Sequence, residues 1–445
     1  MKNILLISAL ITAPILANAA ESPKVKLGGR MDTMAGYVNQ EKKYRTTNPS
    51  LPTDPLHKGA IVNDTTLDIN VDGATNQGLK YGGVIRLHAD TSTATNKETG
   101  LGDKTWMYMQ HDKIGRLEVG NMPGAGGLFE MELTFFNRGT WGVDGFWSQW
   151  VTDKTYRTTN IANNAIFGAD SAKAVGSALR GFETRGLEFI VSPNLPSNYS
   201  GNHYSDAPKA SFFTKPITNL TLGISYIPDM DSTGTISGLA TKTSGPVFDA
   251  KRVHNPATFR EIFSGGGTYD INASKELKIR TSLVGEVGKA KLPVLRDLKA
   301  MEAGLLFIYK EKFKVGGTYG NWGKSLTLKN TLPGTKQKAE YWTLGAGYEY
   351  EKFGTSLTYM ESKKAGGIEA LTTNTGVAGV ISAGLSKSSF SDIKTNNLKN
   401  LVLDVDYKLA PGFLPYFGVS NFEFKESTGS TDKGFVFMGG TRLLF

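Results

Sequence analysis

The sequence predicts an all-β fold, a 16-stranded antiparallel transmembrane β-barrel with short turns at one rim and long loops at the other. Three observations predict it. The closing segment KGFVFMGGTRLLF divides into two faces: Phe435, Phe437, Leu443 and Phe445 share one parity, Met438 and Arg442 the other. Successive strand residues point to opposite sides, so this segment can offer one face to hydrocarbon and keep its arginine away from it. Short alternating runs of the same kind recur along the chain with turn signals between them, the weak per-strand signature of a membrane barrel. The connections alternate short and long, which matches a barrel with turns at one rim and loops at the other and which a soluble sandwich has no reason to keep.

The first element is not a strand. Lys2 is followed by the apolar run ILLISALITAPILA and by Ala17-Asn18-Ala19, an A-x-A cleavage pattern. A charged start, a short apolar stretch and small residues at the cut define a removable export signal. The run is too short to cross a bilayer, and Pro14 interrupts it. Residues 1–19 are read as signal peptide and 20–445 as one barrel domain. No other long apolar run follows and mean hydropathy is −0.25, which excludes a helical membrane protein.

An exported chain without cysteine has no disulfides to brace it. A closed ring of strands supplies that bracing, because every edge is paired. Five scattered histidines and no cysteine argue against a structural zinc site, and no metal or cofactor is expected. Glycine is 52 of 445 residues, about 12% against an average of roughly 7%. Many of these glycines fall inside alternating runs, where a barrel uses them for bends and close packing. The net charge is +9, and removing Lys2 with the signal leaves +8. Two readings of it stay open: a basic surface facing acidic lipid headgroups or lipopolysaccharide, and a lumen attractive to anions. No basic cluster or known module points to nucleic acid.

The strands follow in order. The first runs from Val25 to Val38, with Val25, Leu27, Met31 and Tyr37 outward and Lys26, Arg30 and Asp32 inward. The second lies near Thr65–Gly73, and the turn ATNQG leads into Leu79–Asp90, where Tyr81, Ile85 and Leu87 oppose Lys80, Arg86 and His88. Thr105–His111 and Arg116–Asn121 flank the turn DKIG. Alternation is then lost until Lys209–Thr214 and Thr221–Pro228, joined by KPITN. Thr258–Asp270, Leu277–Gly288, Ala300–Lys310, Phe313–Asn321, Glu340–Tyr350 and Phe353–Met360 follow, then Leu401–Leu409, Leu414–Phe424 and Lys433–Phe445. That makes sixteen, an even number that brings both ends of the barrel to one side. The segment GLEFIVSP, Gly186–Pro193, is assigned to a long loop. Short connections fall near 75–78, 112–115, 215–220, 311–312, 351–352 and 410–413, and long ones near 39–64, 91–104, 122–208, 229–257, 322–339 and 361–400. Phe313 and Tyr319 lie six apart on one face, as do Phe353 and Tyr359, a spacing compatible with two aromatic girdles and also with a sandwich core.

Arg30, Arg86 and Arg280, with Lys26 and Lys80, fall on the polar parity of their strands. A lipid-facing arginine near the bilayer midplane costs about 2–4 kcal/mol, so these side chains are expected to point inward. Arg442 is inward near one end, and Asp404 with Asp406 shares an inward parity, where lumen solvation is the plain reading. Catalytic readings find no support. GLSKSS lacks a nucleophile-elbow context, and Gly265-Gly266-Gly267 has no helix after it to cradle phosphate.

Three places go beyond general pattern. DKIGRLEVGNM, Asp112–Met122, resembles the turn and fifth strand that lead into the pore loop of Gram-negative general porins. KASFFTKPITNLTLGISYIPD, Lys209–Asp229, resembles the next hairpin in porins of alphaproteobacterial type, and a closing strand ending in Phe445 resembles their terminal strand. The resemblance implies a homotrimer in the cell outer membrane, in contact with its lipid and lipopolysaccharide. It also implies a third loop folded into each water-filled pore, passive diffusion of small hydrophilic solutes and ions, and a terminal aromatic, Phe445, serving as signal to the barrel assembly machinery. In the family, acidic residues of the third loop face basic residues of the wall. Glu130, Glu132 and Asp144 are the acids this implies here, with solvated loop tips or local pairing as the plain alternative. The chain departs from the enterobacterial pattern: it has MPGAGGLFEMEL in place of PEFGG, and its third loop is long, 122–208. Other readings are a substrate-selective channel on the same scaffold and a structural or adhesive surface barrel. A hydrolase is a distant third. No separate plug domain precedes the first strand, which disfavours a ligand-gated uptake receptor.

Overall fold

Two-residue periodicity sets the architecture. The computed structural model describes residues 22–41, 58–89, 102–132, 136, 138–145, 147–151, 193–198, 204–230, 259–291, 296–325, 329, 338–365, 395–425 and 431–445. The expected signal peptide, residues 1–19, lies outside them, as does GLEFIVSP apart from its last residue, Pro193. The strands are β1 (Lys24–Gln40), β2 (Gly59–Ala74), β3 (Leu79–His88), β4 (Gly102–His111), β5 (Gly115–Asn121), β6 (Pro208–Thr214), β7 (Leu220–Asp229) and β8 (Phe259–Asn272). They continue as β9 (Leu277–Ala290), β10 (Leu298–Tyr309), β11 (Phe313–Gly323), β12 (Ala339–Tyr350), β13 (Phe353–Ala365), β14 (Thr395–Tyr407), β15 (Phe413–Lys425) and β16 (Thr431–Leu444). Each pairs antiparallel with its sequence neighbours, and β16 returns to β1 to close the barrel. The seam runs from Arg30 opposite Leu444 to Gln40 opposite Gly434.

The sixteen expected strands are all present, with boundary differences that have a local cause. β14 starts at Thr395, six residues before the expected Leu401, because Asn396 and Asn400 face inward while Lys399 faces out. Amides inside and a lysine outside give no apolar alternation to read. β2 starts at Gly59 and turns Ile61 outward. The alternation of connection lengths is looser than expected: 273–276 is a further short turn at the short-turn rim, but 291–297 and 426–430 are short connections at the long-loop rim.

The outer face carries apolar side chains that a water-soluble fold would bury. Leu27 is 69% exposed, Met107 72% and Leu283 60%. Aromatics gather near both rims. Phe313, Tyr350, Phe353 and Tyr407 lie toward the short turns, with the Phe313 and Tyr348 rings 4.5 Å apart. Tyr319 and Trp342 lie toward the long loops, with Trp342 5.0 Å from Tyr359. These are the positions of aromatic girdles flanking an apolar band.

The core sits inside the ring. One cluster joins Met360, Leu398, Val402, Phe422, Val436, Met438, Met34 and Val38 of the wall to Val143 and Trp147 of the third loop. A second joins Ile227, Phe259, Ile262, Val284, Leu298, Trp322 and Tyr341 to Leu195, where that loop returns. The inner face is therefore not uniformly polar, and the third loop is what covers its apolar part.

Candidate functional site

The third loop leaves β5 at Met122 and at once lies against the wall. Helix α1 (Ala125–Phe129) is only five residues long and glycine-rich, AGGLF. A Cβ on Gly126 would strike Ser264 Oγ, and one on Gly127 would strike Asn198. The missing side chains let this turn of helix press between the wall and the returning limb. Its first N–H, on Ala125, donates to Ser225 Oγ at 2.6 Å. Phe129 packs edge-on against Phe213 and over Gly223.

From there the loop travels along the inner wall strand by strand. The Met131 N–H donates to Glu302 on β10 at 3.0 Å, and Met131 fills the space over Gly304. Phe136 lies over Gly345 and Gly347 of β12. Arg138 reaches Glu349 at 3.3 Å and pairs with Asp406 of β14. The Thr140 N–H and hydroxyl both donate to Asp404. Helix α2 (Trp147–Trp150) stacks Trp147 on Phe422 of β15 at 6.0 Å, and Trp150 occupies the space over Gly36 of β1. The returning limb is held in the same way: Glu286 of β9 accepts the Ser197 N–H at 3.1 Å and its hydroxyl.

Glu130, Glu132 and Asp144 are brought together near Glu302, but two of them are engaged by the loop itself. Glu130 is 4% exposed and accepts the Leu195 N–H and, at 2.6 Å, the Asn198 amide. Asp144 accepts the Asn194 amide at 3.2 Å. Burial, with the Glu302 charge beside it, holds the Glu130 carboxyl well above the usual carboxylate range. Asp144 keeps some surface in water, yet desolvation by its surroundings and the charge of Glu132 raise it in the same direction. Glu130 thus differs from the expectation of a carboxylate facing open water: it joins the outgoing and returning limbs. Glu132 is half-buried beside them. Asp404 and Asp406 are not simple lumen groups either, since both hold the loop.

The inner face of β1–β5 carries a group of paired charges. Arg86 makes a two-pronged pair with Asp68 at 2.7 and 2.9 Å, and Arg30 pairs with Asp64. Lys26 meets Asp72 at 3.3 Å, and Lys80 meets Asp112 at 3.1 Å. Arg116 lies 3.8 Å over the Tyr108 ring and bonds Glu118 at 2.5 Å, while the Tyr108 hydroxyl donates to Asp72 at 2.6 Å. These side chains keep water: 34% of Arg86 and 69% of Lys26 are exposed. Arg280 is apart from them, on β9 three residues from the short-turn rim, in a two-pronged pair with Asp270 at 2.6 and 2.8 Å. Sequence reasoning missed Arg116, Lys209, Arg138 and Lys104 of β4, which pairs with Asp206 at 3.4 Å. Arg116 shares the inward parity of Glu118, which was a usable signal. Arg138, inside a loop, has none.

A barrel closed over a wall-bound third loop, with charged inward strands at one side, is the geometry on which comparison with known proteins turns. A sequence model of the family described as Gram-negative porin matches residues 7–427. The chain belongs to that family. An uncharacterized protein of Rickettsia typhi is 25% identical over an alignment of 509 residues covering 100% of both chains. One from Rickettsia conorii is 28% identical over 309 residues, 59% of this chain and 63% of that one. Among solved structures, a triple mutant of Rhodopseudomonas blastica porin superposes with a TM-score of 0.50 at 12% identity, covering 95% of this porin and 100% of that chain. At that identity the likeness concerns the fold alone. Membership points to an outer-membrane channel of a Gram-negative cell.

Proposed function

We propose that the barrel encloses a water-filled passage for passive diffusion of small hydrophilic solutes and ions. One observation carries this reading: the inward charged residues of β1–β5 keep contact with water, while the third loop lies against the remaining wall from β7 round to β1. A loop bound to one side of a lumen narrows it without needing to fill it. Arg30, Arg86, Lys26 and Lys80 form the basic wall of the passage, and Arg280 stands at its short-turn mouth. Each cation already faces a carboxylate, so the field is one of paired charges. Glu130, Glu132 and Asp144 form the acidic side, with Glu130 and Asp144 acting mainly to shape the loop.

Residues 1–19 serve as the export signal in this reading, and the barrel assembles as a homotrimer among outer-membrane lipid and lipopolysaccharide. Phe445 is proposed as the signal to the barrel assembly machinery. It is exposed on the outer face, and its backbone exchanges hydrogen bonds with Gly29 at 3.0 and 3.2 Å across the seam. The test is single-channel recording in planar bilayers. Stable stepwise openings are expected; a folded barrel that conducts nothing would defeat the proposal.

A further inference from the structure

Arg442 lies on the last strand and Asp32 directly opposite it on the first. Their ion pair is almost dry, with Arg442 7% and Asp32 0% exposed at the side chain. The guanidinium meets the carboxylate through Nε at 2.7 Å and through a terminal nitrogen at 2.6 Å. The Tyr416 hydroxyl of β15 donates to the same carboxylate at 2.5 Å. The remaining donors of the arginine point away from the wall, to the backbone carbonyls of Arg138 and, at 2.9 Å, Gly139. An arginine fork can hold a carboxylate and two carbonyls at once because its five N–H groups lie in one rigid plane.

The loop is shaped to this seat. Trp141, two residues on, has a left-handed backbone with φ of 73°, a conformation unfavourable to a side chain of this size. Its ring takes the Arg442 guanidinium at 4.9 Å and that of Arg30 at 5.6 Å. Gly139 meets Tyr416 so closely that an added Cβ would stand 2.8 Å from the tyrosine Cβ. Two carbonyls and the indole register on one arginine, and Gly139 on the tyrosine beside it.

We infer that Arg442 is the positioning residue of the third loop, and that the loop seats only on a closed barrel. The seat does not exist until the seam forms, because its anion is on β1 and its cation on β16. Closure thereby completes loop placement: an unclosed barrel leaves the Arg138 and Gly139 carbonyls without their donor, with Arg138 and Thr140 held from β12 and β14 alone. The consequence for the width of the passage rests on the channel reading above; the seating itself does not.

The test uses the absence of cysteine in the natural chain. Val143, a third-loop residue buried against the wall, is replaced by cysteine in the full-length barrel, and its reaction with a water-soluble maleimide is timed. Arg442→Gln is expected to raise that rate roughly tenfold or more, since it strips a buried charge of its partner. Arg442→Lys, which keeps the charge but not the fork, is expected to fall between. Folding is followed independently by the heat-dependent shift of the barrel in gel electrophoresis. Should Arg442→Gln fail to fold, Gly139→Val decides, since it pushes the loop off Tyr416 and leaves the Asp32–Arg442 pair in place. A folded Arg442→Gln or Gly139→Val barrel labelled at the unsubstituted rate would overturn the inference. Failure of both to fold would overturn it too, making the residue a requirement of the barrel and not a holder of the loop. Planar-bilayer recording of the same proteins separates the two proposals. A silent unsubstituted barrel with a normal labelling response defeats the channel and leaves the seat intact.

Discussion

The ammonium of Lys209, buried on the inner face of β6, donates to the backbone carbonyl of Met122, where the third loop leaves β5. A second bond, at 2.6 Å, goes to the carbonyl of Ser205, where the loop comes back. One side chain thus ties both stems of the loop. Replacing it by the similarly long methionine leaves two buried carbonyls without donors, at about 1–3 kcal/mol each. Lys209→Met is expected to lower the urea midpoint of the folded barrel and to speed amide exchange at both stems. Lys215→Met, in the exposed turn after β6, is expected to stay within about 0.5 kcal/mol of the parent. Equal midpoints for the two variants would show that Lys209 carries no such load.

Arg86 and Asp68 hold one another in a two-pronged pair while facing water, so removing either leaves an unbalanced charge in the passage. A unit charge about 6 Å from a passing ion in water is worth about 0.7 kcal/mol, roughly a threefold bias in permeability. Arg86→Gln is expected to move the reversal potential in a salt gradient toward cation preference, and Asp68→Asn toward anion preference. The effect should fade as salt rises, because screening shortens to a few ångströms near 1 M. Shifts of the same sign in both variants would remove the pair from the ion path.

The ring was legible because lipid imposes its rule on every strand: Leu27, Met107 and Leu283 must point out wherever they occur, and parity follows. The lumen imposes no single rule. Met360, Val402 and Phe422 face inward as apolar residues because a loop covers them, and no strand-by-strand pattern announces a covering loop. Arg30 and Arg86 were recoverable from parity alone. The engagement of Glu130 was not, since its partners Leu195 and Asn198 lie more than sixty residues away along the chain. Arg442 showed its inward direction in the sequence. Its bonds to the Arg138 and Gly139 carbonyls depend on a loop path that no periodicity encodes.

The Glu130 carboxyl binds its proton more tightly in the folded barrel than in the unfolded chain, first through burial and then through the charge of Glu302. The Leu195 N–H and the Asn198 amide act the other way, and Glu132 adds to the upward shift. A raised folded value gives a contribution that is complete at acid pH and is lost as pH climbs through that value. The limb at 193–198 is therefore expected to be held more firmly at low pH and to loosen toward alkaline pH. Amide exchange at Leu195 and Asn198, corrected for its intrinsic pH dependence, measures this. Glu130→Gln is expected to flatten the profile. An unchanged profile in that variant would assign the proton to Asp144 or Glu302.

The lipid-facing assignment has its own test. Leu283, mid-strand on β9 and 60% exposed, lies opposite Ala303, while its sequence neighbour Ser282 faces inward and donates to the Phe129 carbonyl. A cation at the first position meets hydrocarbon; a residue at the second meets the loop. Leu283→Arg is expected to destabilise the barrel in bilayer vesicles by about 2–4 kcal/mol, the cost of an arginine near the membrane midplane. The same substitution should cost far less in detergent, where the micelle deforms around the charge and water reaches it. Leu283→Ala, which removes apolar contact without adding charge, should show no such gap between the two media. If Leu283→Arg unfolded at the same denaturant concentration as Leu283→Ala in vesicles, the outer face of β9 would not be in contact with lipid.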